Sequence, residues 1–318
     1  MSLIRKSNEL VISTKIKALI YGQAGMGKTT LSLSAPKPIL FDFDNGIGRV
    51  NFAHIQNVDT VQINSYNDFI EVLDNEDLSP YETLVVDTGG KCLDYLALYI
   101  IKNNPKMGKS NGTLTLQGYG ERKAAFTALL LKVSNLNKHI IFVAHRETTK
   151  DGDDTRYIPL FGGSNYDSLV TELDLVGYLE ANGKKRTITF DPTSRNDGKN
   201  TCNLPSIMEI PVIVDQNGNP TAPNNFMTEK VIKPYINRLS DRQKMIDSYN
   251  DIINQIKDDI NLITDDLSAN DFCNRIDKFQ HVGSSKAMAA QMLKNKATQL
   301  NLKFNSHDKR YEPANSLL

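Results

Sequence analysis

One short stretch holds most of the chemistry that the letters alone disclose. Gly22-Gln23-Ala24-Gly25-Met26-Gly27-Lys28-Thr29 spells G-x-x-x-x-G-K-[ST], the pattern of a backbone loop that closes around a phosphate chain. Its glycines let the main chain approach the anion without a Cβ clash. Lys28 is placed to reach the β- and γ-phosphates of a nucleoside triphosphate, and the Thr29 hydroxyl to ligate Mg²⁺. Together with Thr30, these residues are the candidate ATP-binding set. A glycine-rich turn with an exposed lysine is the competing reading, and it is the flanking segments that count against it.

Those flanks are the elements that must position the loop. Ile16-Lys17-Ala18-Leu19-Ile20-Tyr21 is short and largely apolar, and reads as a buried strand. Thr30-Leu31-Ser32-Leu33-Ser34-Ala35 reads as a helix stopped by Pro36 and Pro38. Free N–H groups and the dipole at such a helix start favour a phosphate. Pro38-Ile39-Leu40-Phe41-Asp42-Phe43-Asp44 predicts a second strand, acidic at its end and broken by Asn45-Gly46-Ile47-Gly48. Leu84-Val85-Val86-Asp87-Thr88 predicts a strand whose last carboxylate points at Mg²⁺, or else caps the following helix. His139-Ile140-Ile141-Phe142-Val143-Ala144 predicts another, ending in His145 and Arg146. A short strand over 60–63 and helices over 67–73, 92–101 and 121–136 complete the alternation. Strands alternating with helices predict an α/β fold with a mostly parallel sheet, whose strand ends converge on one nucleotide. Lys28, Thr29, Asp44, Asp87 and His145 form that constellation, with Thr29 and Asp87 as the metal ligands.

Bulk properties narrow the class. The 318 residues carry 37 Lys and Arg against 37 Asp and Glu, so any nucleic-acid surface must be local. No apolar run approaches the roughly 20 residues of a membrane span, and the segment 1–8 lacks the apolar core of a secretion signal. No membrane association is expected. Cys92, Cys202 and Cys273 are too scattered for a disulfide framework or a metal cluster, and are expected to stay reduced in a cytoplasm.

The remaining chain is less explicit. Residues 1–15 are expected on the edge of the core. A basic, glycine-rich stretch over 102–120 and a polar stretch over 147–165 read as long loops, and loops of that length in a compact domain tend to be functional. Residues 173–179 and 186–190 read as a strand pair about Asn182-Gly183. The loop 191–200 carries Arg195 and Lys199, and 202–235 reads as irregular. Residues 241–263 place Met245, Tyr249, Ile252, Ile256 and Ile260 on one helical face. Two more helices are expected over 268–280 and 284–302, capped by Ser268 and Ser284. The domain reading is a core over 1–239 and a C-terminal helical region over 240–318.

The order of phosphate loop, acidic residue after the second strand, Asp87 and a polar residue ending the next strand resembles the RecA-like P-loop ATPases. The pieces around 18–30, 38–44, 84–88, 141–147 and 190–192 are similar to the phage single-strand-annealing recombination ATPases of the Sak-four type. The likeness spans about 15–215 and leaves out the C-terminal helices. It implies a RecA-like P-loop NTPase core with a small C-terminal helical appendage. It implies that Asp44, an aspartate where the family has glutamate, orients and deprotonates the attacking water, with Asp42 as the alternative base. It implies that His145, where the family has glutamine, senses the γ-phosphate. The loops over 102–120 and 146–165 fall where the family binds single-stranded DNA, and Arg195 or Lys199 would complete a neighbour's site in a homo-oligomeric ring or filament.

The resulting expectation is an ATP- and Mg²⁺-dependent phage recombination or replication protein acting on single-stranded DNA, beside a single-stranded-DNA-binding protein, in the cytoplasm of the bacterial host. A helicase loader or other DNA motor, and a nucleotide-gated adaptor with little turnover, are the alternatives.

Overall fold

The structure, a computed structural model, describes residues 13–152, 154–162, 164–183 and 185–314. Residues 1–12, and the acidic Asp153 of the second polar stretch, lie outside the described residues. The described chain falls into two compact units, Ser13–Ile236 and one from Asn237 onward.

The first unit is built on one sheet. In chain order its elements are β1 (Lys17–Gly22), α1 (Lys28–Ser32), β2 (Pro38–Asp42), β3 (Asp59–Gln62), α2 (Tyr66–Asn75), β4 (Thr83–Asp87), α3 (Gly89–Asn103), α4 (Leu116–Asn135), β5 (His139–Asp151), β6 (Asp154–Pro159), α5 (Ser164–Glu172), β7 (Leu175–Asn182), β8 (Lys185–Thr189), β9 (Lys199–Asn200) and β10 (Ile207–Ile210). The strand order is β10-β8-β7-β1-β5-β4-β2-β3. From β7 to β3 every neighbouring pair is parallel, and β8 and β10 extend the sheet antiparallel. The sheet is mostly parallel, as the resemblance to RecA-like P-loop NTPases implies, with β5 inserted between the phosphate-loop strand and the strand that ends in Asp87.

Alternation along the strands explains why so apolar a set of segments assembles this way. In β1, Leu19 and Tyr21 join a cluster with Phe41, Phe69, Leu96, Phe126 and Phe142 on one face. Ala18 and Ile20 join Leu31, Leu40, Val85, Ile141 and Val231 on the other. A strand covered on both faces must be apolar at every position, which is why β1, β4 and the first half of β5 read as continuous hydrophobic runs.

Three expectations need correction. The stretch over 102–120 is not one long loop: α3 runs to Asn103, a 3₁₀ turn covers Pro105–Met107, and α4 starts at Leu116 with Thr115 as its cap. Only 108–115 is irregular, closed by a bridge between Gly108 and Leu114. The stretch over 147–165 is a hairpin, because β5 continues beyond the sheet and pairs with β6 from Arg146↔Pro159 to Asp151↔Asp154. Within 202–235, β10 and a π-helical turn over Met227–Ile232 are regular.

The second unit contains the greater part of α6 (Lys233–Asn261), then α7 (Asp266–Arg275), α8 (Ser285–Gln299) and the hairpin β11 (Leu302–Asn305) and β12 (Arg310–Pro313). Its core joins Ile252, Ile256, Ile260, Phe272, Leu293 and Tyr311. Met245 is 63% exposed, because that core begins only at Tyr249. Asp265, not Ser268, caps α7, and Ser268 answers it from the third helical position as a capping box. Among the described residues no helix is long and apolar enough to cross a membrane.

His139 opens β5 fully buried, and its Nδ1 accepts the Ile16 N–H at 3.0 Å. Burial pushes its pKa down from 6.5 to about 4. The unfolded chain therefore takes up a proton between these values while the folded chain does not, so stability is whole above pH 6.5 and falls as the pH is lowered toward 4. The expected loss at pH 5 is about 2 kcal/mol. Urea midpoints at pH 7.5 and pH 5 for the wild type and His139→Gln test this. An equal drop in both proteins would refute it.

Candidate active site

The phosphate loop joins the end of β1 to α1, and two of its glycines are dictated by contact. A Cβ on Gly22 would sit 2.3 Å from the Leu179 carbonyl of β7, so only glycine lets the adjacent parallel strand pass. Gly27 caps α1 in the left-handed region, at φ 85°. Gln23, Ala24 and Gly25 are exposed, so the rim of the loop faces solvent.

Lys28 is buried, and its Nζ donates to the Gln23 carbonyl at 2.9 Å across the loop. Burial pushes its pKa below the usual lysine range, while the carboxylates of Asp87 and Asp44 pull upward. Asp87, also buried, ends β4 and accepts the Thr29 hydroxyl at 2.5 Å. Burial raises its pKa, the Thr29 hydrogen bond opposes that rise, and Asp44 and Asp42 add to it. The helix that follows is capped by Thr88, whose side chain accepts from the Lys91 N–H. Asp87 is thus not the cap, and it faces Thr29. An alcohol and a carboxylate in contact are hard oxygen donors that fit Mg²⁺, with phosphate and water completing the shell. The ion would neutralise Asp87 and draw the phosphates toward Lys28.

The strand order brings the other predicted side chains to the same edge. His145 Nε2 lies 3.5 Å from Asp44 Oδ2, and both side chains reach solvent. His145 is therefore not a core histidine. Both line a cleft of about 340 Å³ with Thr88, Lys91, Arg122 and Phe161. Asp42, the alternative base of the sequence reading, is committed to backbone contacts. It is 1% exposed, and its carboxylate accepts from the N–H groups of Asp44, Gly46 and Ile47 at 3.2, 2.9 and 3.0 Å. It holds the turn that aims Asp44.

The two candidate trans cations part company. Lys199 Nζ donates to the Val170 carbonyl at 2.7 Å and the Thr171 carbonyl at 3.5 Å, closing the C-terminus of α5, which makes it a structural cation. Arg195 is exposed, with its guanidinium 5.6 Å from the Tyr157 ring centre. Arg146 stands 4.2 Å from the same ring, donates to the Tyr178 hydroxyl at 2.9 Å and reaches Gln23 Oε1 at 3.4 Å.

Residues 14–202 match the family described as an AAA domain. The chain belongs to that family. The AAA domain covers the phosphate loop, Asp44, Asp87 and His145, and identifies a nucleotide-binding P-loop ATPase core, a class that generally uses ATP and Mg²⁺. No curated protein matches the chain. Among solved structures it is similar to a KaiC-like protein of the hyperthermophilic archaeon Pyrococcus horikoshii OT3, at 12% identity and a TM-score of 0.36, over 62% of this chain and 89% of that one.

Sequence reasoning missed Arg186 and Arg122. Arg186 on β8 lies against the phosphate loop, Nη1 3.4 Å from the Met26 carbonyl. Its only signal was a basic run before a strand, and register alone decides where it points. Arg122 lies on α4 and lines the cleft, and nothing in its helical position marks it in the sequence.

Asp42→Ala leaves three backbone donors without their acceptor and is expected to cost about 1–3 kcal/mol, read as a lower thermal midpoint. Asp44→Asn, at a half-exposed site, is expected within about 0.5 kcal/mol of wild type. Equal destabilisation by both would remove the distinction drawn between these aspartates.

Proposed function

We propose that this AAA domain hydrolyses ATP in response to single-stranded DNA, as a homo-oligomer promoting annealing or strand pairing in phage recombination or replication. The observation that carries hydrolysis is the pairing of Asp44 with His145 beside Thr29, Asp87 and Lys28. Phosphoryl transfer to water needs a carboxylate that orients the nucleophile and cations on the developing charge. Asp44 supplies the first. Lys28 supplies one such cation, and an Mg²⁺ ion held by Thr29 and Asp87 would supply another. His145, with a ring nitrogen able to donate, is suited to a phosphate oxygen.

Two surfaces favour DNA as the partner. Lys102, Lys106, Lys109 and Lys123 flank the junction of α3 and α4, where Tyr119 is 46% exposed and Leu116 89% exposed. The β5–β6 hairpin grows directly out of the strand carrying His145 and carries Arg146 and Tyr157, and Arg195 of the loop after β8 stands over the same ring. Cations with aromatic faces suit a single strand, whose backbone needs neutralising and whose bases stack. Arg195 is the remaining candidate to reach a neighbouring protomer's nucleotide.

ATP turnover measured with and without single-stranded DNA tests the reading. DNA is expected to stimulate turnover in the wild type. Lys28→Ala and Asp44→Asn are expected to lower stimulated turnover by about 10² or more. Stimulation should weaken steeply as salt rises. Turnover indifferent to DNA would point to another motor or a phosphotransferase, and ATP binding without turnover to an adaptor.

A further inference from the structure

The unit from Asn237 onward lies beyond the AAA domain and carries a surface with no part in ATP chemistry. Its charge is divided by element. Asp258 and Asp259 close α6, Asp265 and Asp266 open α7, and Asp271 and Asp277 follow. Arg275 sits among them, paired with Asp259 at 3.0 Å and Asp271 at 2.8 Å. α8 has the opposite character: Ser285–Gln299 holds Lys286, Lys294 and Lys296 and no acidic residue. The hairpin of β11 and β12 adds Lys303, Lys309 and Arg310. Lys286 meets Asp277 at 2.6 Å and Arg310 meets Glu312 at 2.7 Å. Among the described residues no carboxylate pairs with Lys294, Lys296, Lys303 or Lys309.

α8 packs on its own unit by one narrow stripe, Ser285, Ala289, Leu293 and Ala297, a single residue from each turn. The opposite face is exposed and runs through Ala287, Gln291, Lys294, Asn295 and Thr298. Gln291 Nε2 donates to Asn295 Oδ1 at 2.9 Å, so the two amides form a row along the helix. That bond leaves the Gln291 carbonyl and the Asn295 amino group available to a ligand. The centre of a protein interface is apolar and poor in charge, whereas this face is made of amides, lysine and small side chains.

We propose that this unit binds duplex DNA, with the outer face of α8 in the major groove and the unpaired lysines of α8 and the hairpin on the phosphates. The 15 residues of α8 span about 22 Å, and a major groove about 12 Å wide admits a helix. The side chains at the centre of the face suit base edges: glutamine and asparagine pair with adenine, and alanine meets the thymine methyl. Lysines around them supply the sequence-independent attraction to the backbone. The acid-free composition of α8 fits the same partner, because a carboxylate on that face would be held against phosphate. This inference does not depend on the nucleotide or single-strand reading of the first unit.

Fluorescence anisotropy of the full chain with a labelled duplex of about two helical turns, without nucleotide and between about 50 and 200 mM salt, tests this. Four phosphate contacts give a slope of log K against log salt of about −3 to −4. Lys294→Gln with Lys303→Gln should weaken duplex binding about tenfold or more and bring the slope nearer zero by about 2. Gln291→Ala with Asn295→Ala should weaken it about fivefold or more and leave the slope unchanged. All four side chains are exposed, so both variants are expected to keep the wild-type thermal midpoint. Binding of one strand of the same oligonucleotide should change less than about threefold in either variant. Duplex affinity unchanged by the lysine pair would overturn the inference, as would an equal loss for the single strand. Displacement of the duplex by polyglutamate of matching charge would make the face a general polyanion site and overturn it too. A loss on the lysine pair with none on the amide pair would overturn the placement of α8 in the groove.

Discussion

Asp87 and Lys28 are both removed from water, and each side chain is held by a hydrogen bond within the protein. Lys28 turns back on a loop carbonyl, and Asp87 takes a hydroxyl from Thr29. Burial destabilises the charge on each; the Thr29 hydrogen bond and then Lys28 oppose this at Asp87, and Asp87 and Asp44 oppose it at Lys28. Such an arrangement is stable because a rigid frame enforces it. Thr29 comes from the helix after β1 and Asp87 from the end of β4, with β5 between the two strands. Their contact thus depends on the register of three parallel strands, which pairs Gly22 with His145 and Asp87 with Val143. A slip of one residue in either ladder would turn the inward set outward and separate the pair.

That dependence explains which parts of the fold were legible. Strands buried on both faces must be apolar throughout, so β1, β2, β4 and the start of β5 declare themselves. Elements with one wet face do not. Beyond Arg146, β5 carries Glu147, Thr148, Thr149 and Lys150, and its partner β6 carries Asp154, Thr155 and Arg156. A hairpin standing off the sheet keeps such polarity, and in the sequence it reads as loop. The start of α4 misleads for another reason. Gly118 looks like a helix breaker, yet a Cβ there would meet the Met107 carbonyl at 2.5 Å. The glycine records a close crossing of two segments and not a turn.

Within the site, residue type was easier to read than role. Two aspartates two apart at a strand end look interchangeable. The strand ends at Asp42, whose carboxylate collects the N–H groups of the turn, and Asp44 lies beyond it in the turn, beside His145. Lys199 and Arg195, both plain loop cations in sequence, separate only when the C-terminal carbonyls of α5 come into view. Arg186 is invisible without the register of β8 against β7, which sets Arg186 opposite Ala181.

One side chain ties the nucleotide loop to the protruding hairpin. Arg146 follows His145 directly, reaches the Gln23 side chain on the exposed rim of the loop, donates to Tyr178 on β7 and lies on the Tyr157 ring of β6. Tyr157 in turn stacks on Tyr178 at 5.6 Å, and Tyr21 of β1 donates to the Tyr157 and Asp197 carbonyls. The root of the hairpin is therefore not free to move independently of β1 and β7. The weakest contact in this set is the 3.4 Å approach of Arg146 to Gln23. Gln23 sits on the exposed rim of the phosphate loop, whereas Tyr157 and Tyr178 are held by ring packing. Arg146 thus links the rim of the loop at Gln23 to the hairpin at Tyr157, directly beside His145.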